Sequence, residues 1–201
     1  MTAPRRASLI LASASPRRRD LLAATGYHFE VIRPEVDEVS PANFTLREAT
    51  SCNALRKGLA VARATPDAVV LAADTLVALA HENIGKPRNH EEAARILRRL
   101  SGRSHWVVSG VFIAHLRIGR SETFSVCSQV VFKKLSDQMI ENYLARIEPL
   151  DKAGAYAAQG EGRAVIARIV GSRTNVIGLP MEKTRAALAR FHVRPAAPPN
   201  D

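Results

Sequence analysis

The 201-residue chain predicts an α/β fold with a mixed, twisted central sheet flanked by helices. Three observations lead there. Short continuous apolar runs alternate with stretches of helical period, the pattern of strands layered between helices. Two long β-like segments lie back to back around Gly119, which adds an antiparallel pair to the sheet. No internal repeat or linker interrupts the chain before residue 195. A single domain over 1–194 is therefore expected, followed by a disordered Pro-rich tail at 195–201.

The elements follow in order. Residues 8–13 form a short apolar run bounded by polar residues and Pro16, which reads as a buried strand. Ser15-Pro16 opens a helix, with serine at the N-cap and proline at the first helical position. That helix turns Leu21 and Leu22 inward and stops at Gly26. His28 to Ile32 reads as a second strand. Thr45-Leu-Arg-Glu48 is a capping box, and behind it Leu46, Ala49, Leu55, Leu59 and Ala62 recur near helical period. Ala68 to Ala73 reads as a buried strand ending in Asp74-Thr75. His90 to Leu100 is an amphipathic helix closed by Ser101-Gly102. Residues 105–116 and 122–133 make the long strand pair. Ser136 caps a helix running to Ile147, Ala164 to Val170 is a strand, and Pro180 starts the last helix.

Composition excludes several classes. At 46% hydrophobic and 24% charged residues, the chain is globular, not disordered. No run of about 18 uninterrupted apolar residues occurs, so no membrane span is expected. The apolar run behind the basic residues 1–7 breaks at Ser15-Pro16, too early for a signal peptide. Cys52 and Cys127, without CxxC spacing, fit neither a disulfide framework nor a zinc site, and a cytoplasmic protein is expected. The net charge of +10 asks for an anionic partner. Nucleic acid is not expected in that role, because 5% aromatics offer few stacking platforms and much of the excess lies on helix faces, at Arg95, Arg98, Arg99, Arg185 and Arg190.

Local spacing points to a small phosphorylated ligand. Ser13-Ala-Ser15-Pro-Arg17-Arg18-Arg19 joins a strand end to a helix start, where free N–H groups and the helix dipole attract an anion. Adjacent guanidiniums there oppose the dipole, but each can fork onto a phosphate. Asp74-Thr75 stands at the expected carboxyl end of a strand, where ligands of open α/β sheets bind. Asp37 and Glu38 supply further hard oxygens for a divalent cation. Lysine is scarce, six residues against 23 arginines, which draws attention to Lys57 and to Lys86 in its Gly-Lys-Pro turn. Between Asp151 and Gly162, three glycines allow close backbone approach to a ligand, and Gln159 offers an amide for a nucleobase edge. The histidines (28, 81, 90, 105, 115 and 192) lack paired metal-ligand spacing and read as structural or surface residues. Ser13 and Ser109 lack the setting of a covalent nucleophile.

The motifs also stand in a recognisable order. They are Leu-Ala-Ser-Ala-Ser-Pro-Arg-Arg (11–18), Asp37-Glu38, Asn53-Ala-Leu-Arg-Lys57, Ala73-Asp-Thr75, Gly85-Lys-Pro87 and Leu100-Ser-Gly-Arg-Ser-His105. Ser109-Gly-Val111, Val130-x-Phe132, Glu148-Pro-Leu-Asp-Lys-Ala-Gly-Ala-Tyr156, Gln159-Gly160 and Asn175-Val-Ile-Gly-Leu-Pro180 follow. Together they resemble the Maf family of nucleoside triphosphate pyrophosphatases over residues 8 to 188.

The resemblance implies two lobes with a cleft between them, the Maf/ITPase-like architecture. It also implies hydrolysis between the α and β phosphates, with a divalent metal, Mg²⁺ or Mn²⁺. Asp74 would act as general base, Arg17, Arg18 and Lys57 would hold phosphates with Ser13 or Ser15 assisting, and Lys86 would support that pocket. Glu38 and Asp74 would place the metal. Arg17, Thr75 and Gln159 would govern substrate choice, with Thr75 and Gln159 as in the branch acting on dTTP and UTP. The alternatives are the same chemistry on 7-methyl-GTP or other modified nucleotides, and a non-catalytic nucleotide-binding regulator of cell division. A homodimer is implied as well. The chain departs from the family pattern at Gly58, where an alanine is usual and where glycine weakens a helix by about 1 kcal/mol. It departs also at Ala157-Ala158 and at Ser109.

Overall fold

A computed structural model describes residues 8–39, 44–80 and 82–196. In chain order its elements are β1 (Leu9–Ala12), α1 (Pro16–Ala23), β2 (Glu30–Ile32), α2 (Leu46–Ala64), β3 (Val69–Leu79), β4 (Glu82–Ile84) and α3 (His90–Leu100). Then come β5 (Ser104–His115), β6 (Arg120–Phe132), α4 (Asp137–Leu144), α5 (Gly162–Val165), β7 (Ile166–Val170), α6 (Arg173–Ile177) and α7 (Met181–Arg190). The strands form one mixed sheet in the order β2-β1-β3-β5-β6-β7, with β4 on β3.

The pivot is β3. Its first half pairs in parallel with β1, from Val69 opposite Leu9 to Ala72 opposite Ala12. Its second half pairs antiparallel with β4, from Val77 to Leu79. Along its other edge β5 pairs continuously from Val70 to Ala78. Among the described residues, positions 73–76 therefore have a strand neighbour on the β5 side alone.

Successive side chains of a strand point to opposite faces. On one face Val70 and Ala72 pack with Ala54, Val61 and Ala62 of α2 and with Phe112. On the other face two cores lie side by side. Leu71 and Ala73 join Leu21, Leu22 and Leu188 from α1 and α7, while Val77 and Leu79 join Leu97, Leu100 and Tyr143 from α3 and α4. A polar seam divides them. Thr75 Oγ1 and Ser109 Oγ are 2.9 Å apart, and Asn175 Nδ2 donates to Ser128 Oγ and to the Val107 carbonyl, both at 3.0 Å. This division builds the expected two lobes on one continuous sheet.

Local signals account for most boundaries. The capping box closes as expected, with Glu48 N–H donating to Thr45 Oγ1 at 3.3 Å and Thr45 N–H to Glu48 Oε2 at 2.8 Å. Pro16 does start α1, but the Ser15 side chain makes no cap bond. Other expectations need correction. The strand expected to end at Ala73 runs on to Leu79, because pairing with β5 and then β4 satisfies its backbone beyond Asp74. The helix expected to reach Ile147 ends at Leu144, and the strand expected from Ala164 begins at Ile166 after the short α5. The β5–β6 connection is a 3-10 turn, Leu116–Ile118, closed by Gly119. The tail reading falls mainly on 197–201, outside the described residues, as does His81. Ala196 N–H donates to the Gly26 carbonyl at 2.8 Å. No helix among the described residues is long and apolar enough to cross a membrane.

Candidate active site

The break beside β3 opens into a cleft of about 460 Å³, continuous in its lining with a second cavity of about 310 Å³. Both volumes lie within the range of small-ligand sites. Ser15, Arg17, Arg18, Glu38, Lys57, Lys86 and Asp151 line both, and Asp74 and Thr75 form the floor of the larger one. Because neighbouring strand residues face opposite ways, Asp74 looks toward α2 and Thr75 toward α6 and α7. The cleft thus gathers groups from both sides of the sheet.

Asp74 is 4% exposed and held on both oxygens. Lys57 Nζ donates to Oδ1 at 2.8 Å, and Asn53 Nδ2 donates to Oδ2 at 3.1 Å. Both donors come from α2, four residues apart on one helix face. The helix comes close enough for this because Gly110, the β5 residue opposite Asp74, has no side chain. A Cβ there would lie 2.4 Å from the Thr50 carbonyl group. Lys57 Nζ also donates to Glu38 Oε1 at 2.5 Å, so one ammonium joins the two carboxylates. Without Lys57, two acids would share a site at mutual repulsion.

The guanidiniums are less free than adjacent arginines on a helix start suggest. Arg18 donates through Nε to the Gly178 carbonyl at 2.9 Å, through Nη1 to Ser13 Oγ at 3.3 Å and through Nη2 to Thr75 Oγ1 at 3.1 Å. Burial pushes its guanidinium below its ordinary value, with the Asp74 charge opposing that and Arg17 adding to it. Arg18 therefore ties α1 to the polar seam while still bordering the cleft. Arg17 reaches across the mouth to the Asp151 carboxylate in the other lobe. Burial pushes the Asp151 carboxyl up, but the Lys152 hydrogen bond and the Arg17 charge outweigh it and leave it below the usual carboxylate range. Arg19 lies off the site, paired with Asp20. Lys86 lines both cavities and makes no ion pair among the described residues.

Among the sequence-named residues, Ser15, Arg17, Arg18, Glu38, Lys57, Asp74, Thr75 and Lys86 meet around the larger cavity, and Ser13 lines the adjoining one. Ser13 is buried, its Oγ accepting from Ser15 N–H at 3.1 Å. Gln159 is not brought in. It is exposed, in a turn where its carbonyl accepts from Gly162 N–H at 3.0 Å to enter α5, and Ala157 and Ala158 line the cleft in its place. Asp37 is likewise absent from both linings. Reasoning from sequence assigned no chemistry to Asn53, although its spacing from Lys57 places both on one helix face. It also gave no role to Asn83 on β4, which lines the cleft with a buried Oδ1 that has no partner among the described residues.

The described residues contain no group of three or more His, Cys, Asp or Glu able to hold a metal ion. Two carboxylates, Glu38 and Asp74, are available, and such a pair of hard oxygens suits a cation that keeps several waters and shares phosphate oxygens. Acid, paired ammonium and cationic wall around one cleft define an α/β protein built to handle phosphate groups. More narrowly, the chain belongs to the Maf-like proteins, whose family profile, described as "Maf-like protein", matches residues 8–191. It is 48% identical over 183 residues to the dTTP/UTP pyrophosphatase of Myxococcus xanthus, covering 90% of this chain and 91% of that one. It is 44% identical over 187 residues to the dTTP/UTP pyrophosphatase of Bacillus velezensis, covering 92% and 97%. A third relative of the same name, from Anaeromyxobacter dehalogenans, is 45% identical over 189 residues, covering 90% and 93%.

Proposed function

We propose that this protein is a nucleoside triphosphate pyrophosphatase that hydrolyses dTTP and UTP to the monophosphate and pyrophosphate. The observation that carries the reading is the buried Asp74 carboxylate, fixed on both oxygens at the floor of a cleft bordered by Arg17, Arg18, Lys57 and Lys86. The names of the relatives supply the substrate class.

The chemistry needs charge neutralised on phosphate oxygens and a water held in line. Lys86 and Arg17 take phosphate oxygens, Arg17 by exchanging its Asp151 partner for the ligand. Arg18 completes that wall while keeping α1 against Gly178. Lone pairs that Asp74 does not spend on Lys57 and Asn53 accept a proton from water. The water oxygen then adds to one phosphorus of the α–β anhydride, the bond from that phosphorus to the bridging oxygen breaks, and the monophosphate and pyrophosphate are released. Glu38 and Asp74 would hold a divalent cation, Mg²⁺ or Mn²⁺, which supplies further positive charge to the phosphates when bound. Thr75 borders the nucleoside end with Val77, Val107, Tyr156 and Ala158. Free Cys52 and Cys127 suit a cytoplasmic protein. Residues 1–194 act as one catalytic domain, and a homodimer follows from the family resemblance.

The test is a panel of dTTP, UTP, CTP, GTP and 7-methyl-GTP with Mg²⁺ or Mn²⁺, reading pyrophosphate. Metal-dependent release from dTTP and UTP is expected. Release from 7-methyl-GTP alone moves the substrate to the alternative, and release from none removes the enzyme reading. Asp74→Asn keeps the shape and removes the base, with a loss of about 10²–10⁴-fold in turnover expected. A fully active Asp74→Asn enzyme excludes Asp74 as the base.

A further inference from the structure

Asn53 is 2% exposed, in the middle of α2, and every polar atom of its side chain is used. Oδ1 accepts from Val39 N–H at 2.7 Å. Nδ2 donates to Asp74 Oδ2 at 3.1 Å and to the Val39 carbonyl at 3.4 Å. The amide thus pairs with the backbone of Val39 as a neighbouring strand would, and Val39 directly follows Glu38. Its orientation is unambiguous. Reversed, the NH₂ group would face the Val39 N–H and the oxygen would face the Asp74 carboxylate, donor against donor and acceptor against acceptor.

One side chain therefore holds the two acids of the cleft at once. It fixes the Asp74 carboxylate from the oxygen that Lys57 leaves free, and it docks the backbone that carries Glu38 onto α2. Lys57 then bridges Glu38 and Asp74. We propose that Asn53 is a positioning residue for the hydrolysis, setting the plane of the Asp74 carboxylate and the place of the 38–39 segment relative to it. This rests on the function proposed above. Asn53 lines the cleft, but its amide is fully engaged by Val39 and Asp74, so its contribution lies in geometry. Displacements of about 1 Å at a reacting group cost on the order of 10²-fold in rate.

The experiment compares the full chain with Asn53→Ala, Asn53→Asp and Val61→Ala. Asn53→Asp retains the acceptor for Val39 N–H but turns the donor facing Asp74 into an oxygen. Val61→Ala is a buried change on the same helix within the α2 core, away from the cleft lining. For each, kcat and KM for dTTP are measured with Mg²⁺, alongside thermal unfolding and affinity for a dTTP analogue with carbon bridging the α and β phosphorus atoms. Both Asn53 variants are expected to lose about 10–100-fold in kcat, the range for residues that orient a reacting group from behind. KM and analogue affinity should move less than about threefold, because Arg17, Arg18 and Lys86 are untouched. Val61→Ala should lower the unfolding temperature with kcat unchanged.

An unchanged kcat in Asn53→Ala overturns the proposal, as does a loss that only tracks the unfolded fraction. If Asn53→Asp does not fold, Asn53→Ala decides alone. If both fail, the positioning role is overturned in favour of a purely structural one. Wild-type protein that releases no pyrophosphate from dTTP or UTP overturns the function reading itself, a result separate from any behaviour of the variants.

Discussion

Gly58 shows how a residue that looks wrong locally is right in place. A glycine inside α2 forfeits about 1 kcal/mol of helix propensity, yet a Cβ at this position would lie 2.2 Å from Phe112 Cδ1. Phe112 is 1% exposed and packed among α2 and β3 residues, so the ring has nowhere to go. Gly58→Ala is therefore expected to destabilise, since overpacking costs about 1–3 kcal/mol and outweighs the propensity regained. Denaturant unfolding checks the sign, and a stabilised variant would show that the ring can yield. At this scale the sequence named most of the cleft, because Asp74, Lys57, Lys86 and the Ser-Pro-Arg-Arg corner carry charge in unusual settings. It did not show how those charges are spent. Arg18 reads as a free phosphate fork, and only the approach of Gly178 and Thr75 reveals its three protein acceptors. Asn53 stands in the quoted motif with Lys57 but carries no charge and so received no role, although its i, i+4 spacing from Lys57 was there to read.

At the scale of elements, α2 sets the active geometry and its two ends answer to different physics. The N-terminus depends on the Thr45–Glu48 box, so Thr45→Ala should cost about 1 kcal/mol by unfolding with turnover retained. The middle depends on contact with β5 at Gly110, where an added Cβ would meet backbone atoms at 2.4 Å that no rotamer change relieves. Gly110→Ala should push α2 outward, carry Asn53 and Lys57 off Asp74, and lower both stability and turnover. Activity kept at wild-type level would show that α2 does not need this close approach. Capping boxes and helical periods are local, so these helices were readable in the chain. The extension of β3 to Leu79 was not, because it follows from pairing with Gly110 back to Trp106 of β5, far along the chain, and with β4, which like α5 and α6 is too short to impose a period.

Across the whole molecule, stability should depend on acidity through His105. The imidazole is fully buried in the core of the α3–α4 lobe, edge-on to Phe132 and Tyr156, with Nε2 2.8 Å from the Tyr156 hydroxyl and Nδ1 without a partner among the described residues. Burial lowers its pKa from 6.5 to about 4. The unfolded chain therefore takes up a proton that the folded one refuses, and stability falls as pH drops from about 6.5 to about 4. The full loss is on the order of 3 kcal/mol. Unfolding free energies measured across this window should show that slope, and His105→Gln should flatten it. An equal slope in the variant would assign the effect to other groups. The division into lobes was legible only through the resemblance, because two cores on one sheet face are separated by a seam of small polar residues, Thr75, Ser109, Ser128 and Asn175, that no periodicity marks.

The interruption beside β3 has one more effect. An unpaired rim of β-structure ordinarily invites a foreign segment to zip onto it, and natural proteins cap or charge such rims. Here the bare stretch is four residues, about 13 Å long, and is stoppered at each end by β1 and β4. A visiting peptide would have to break off at both stoppers. The protein can thus keep main-chain donors and acceptors open to a small polar guest without turning its sheet into a template for aggregation.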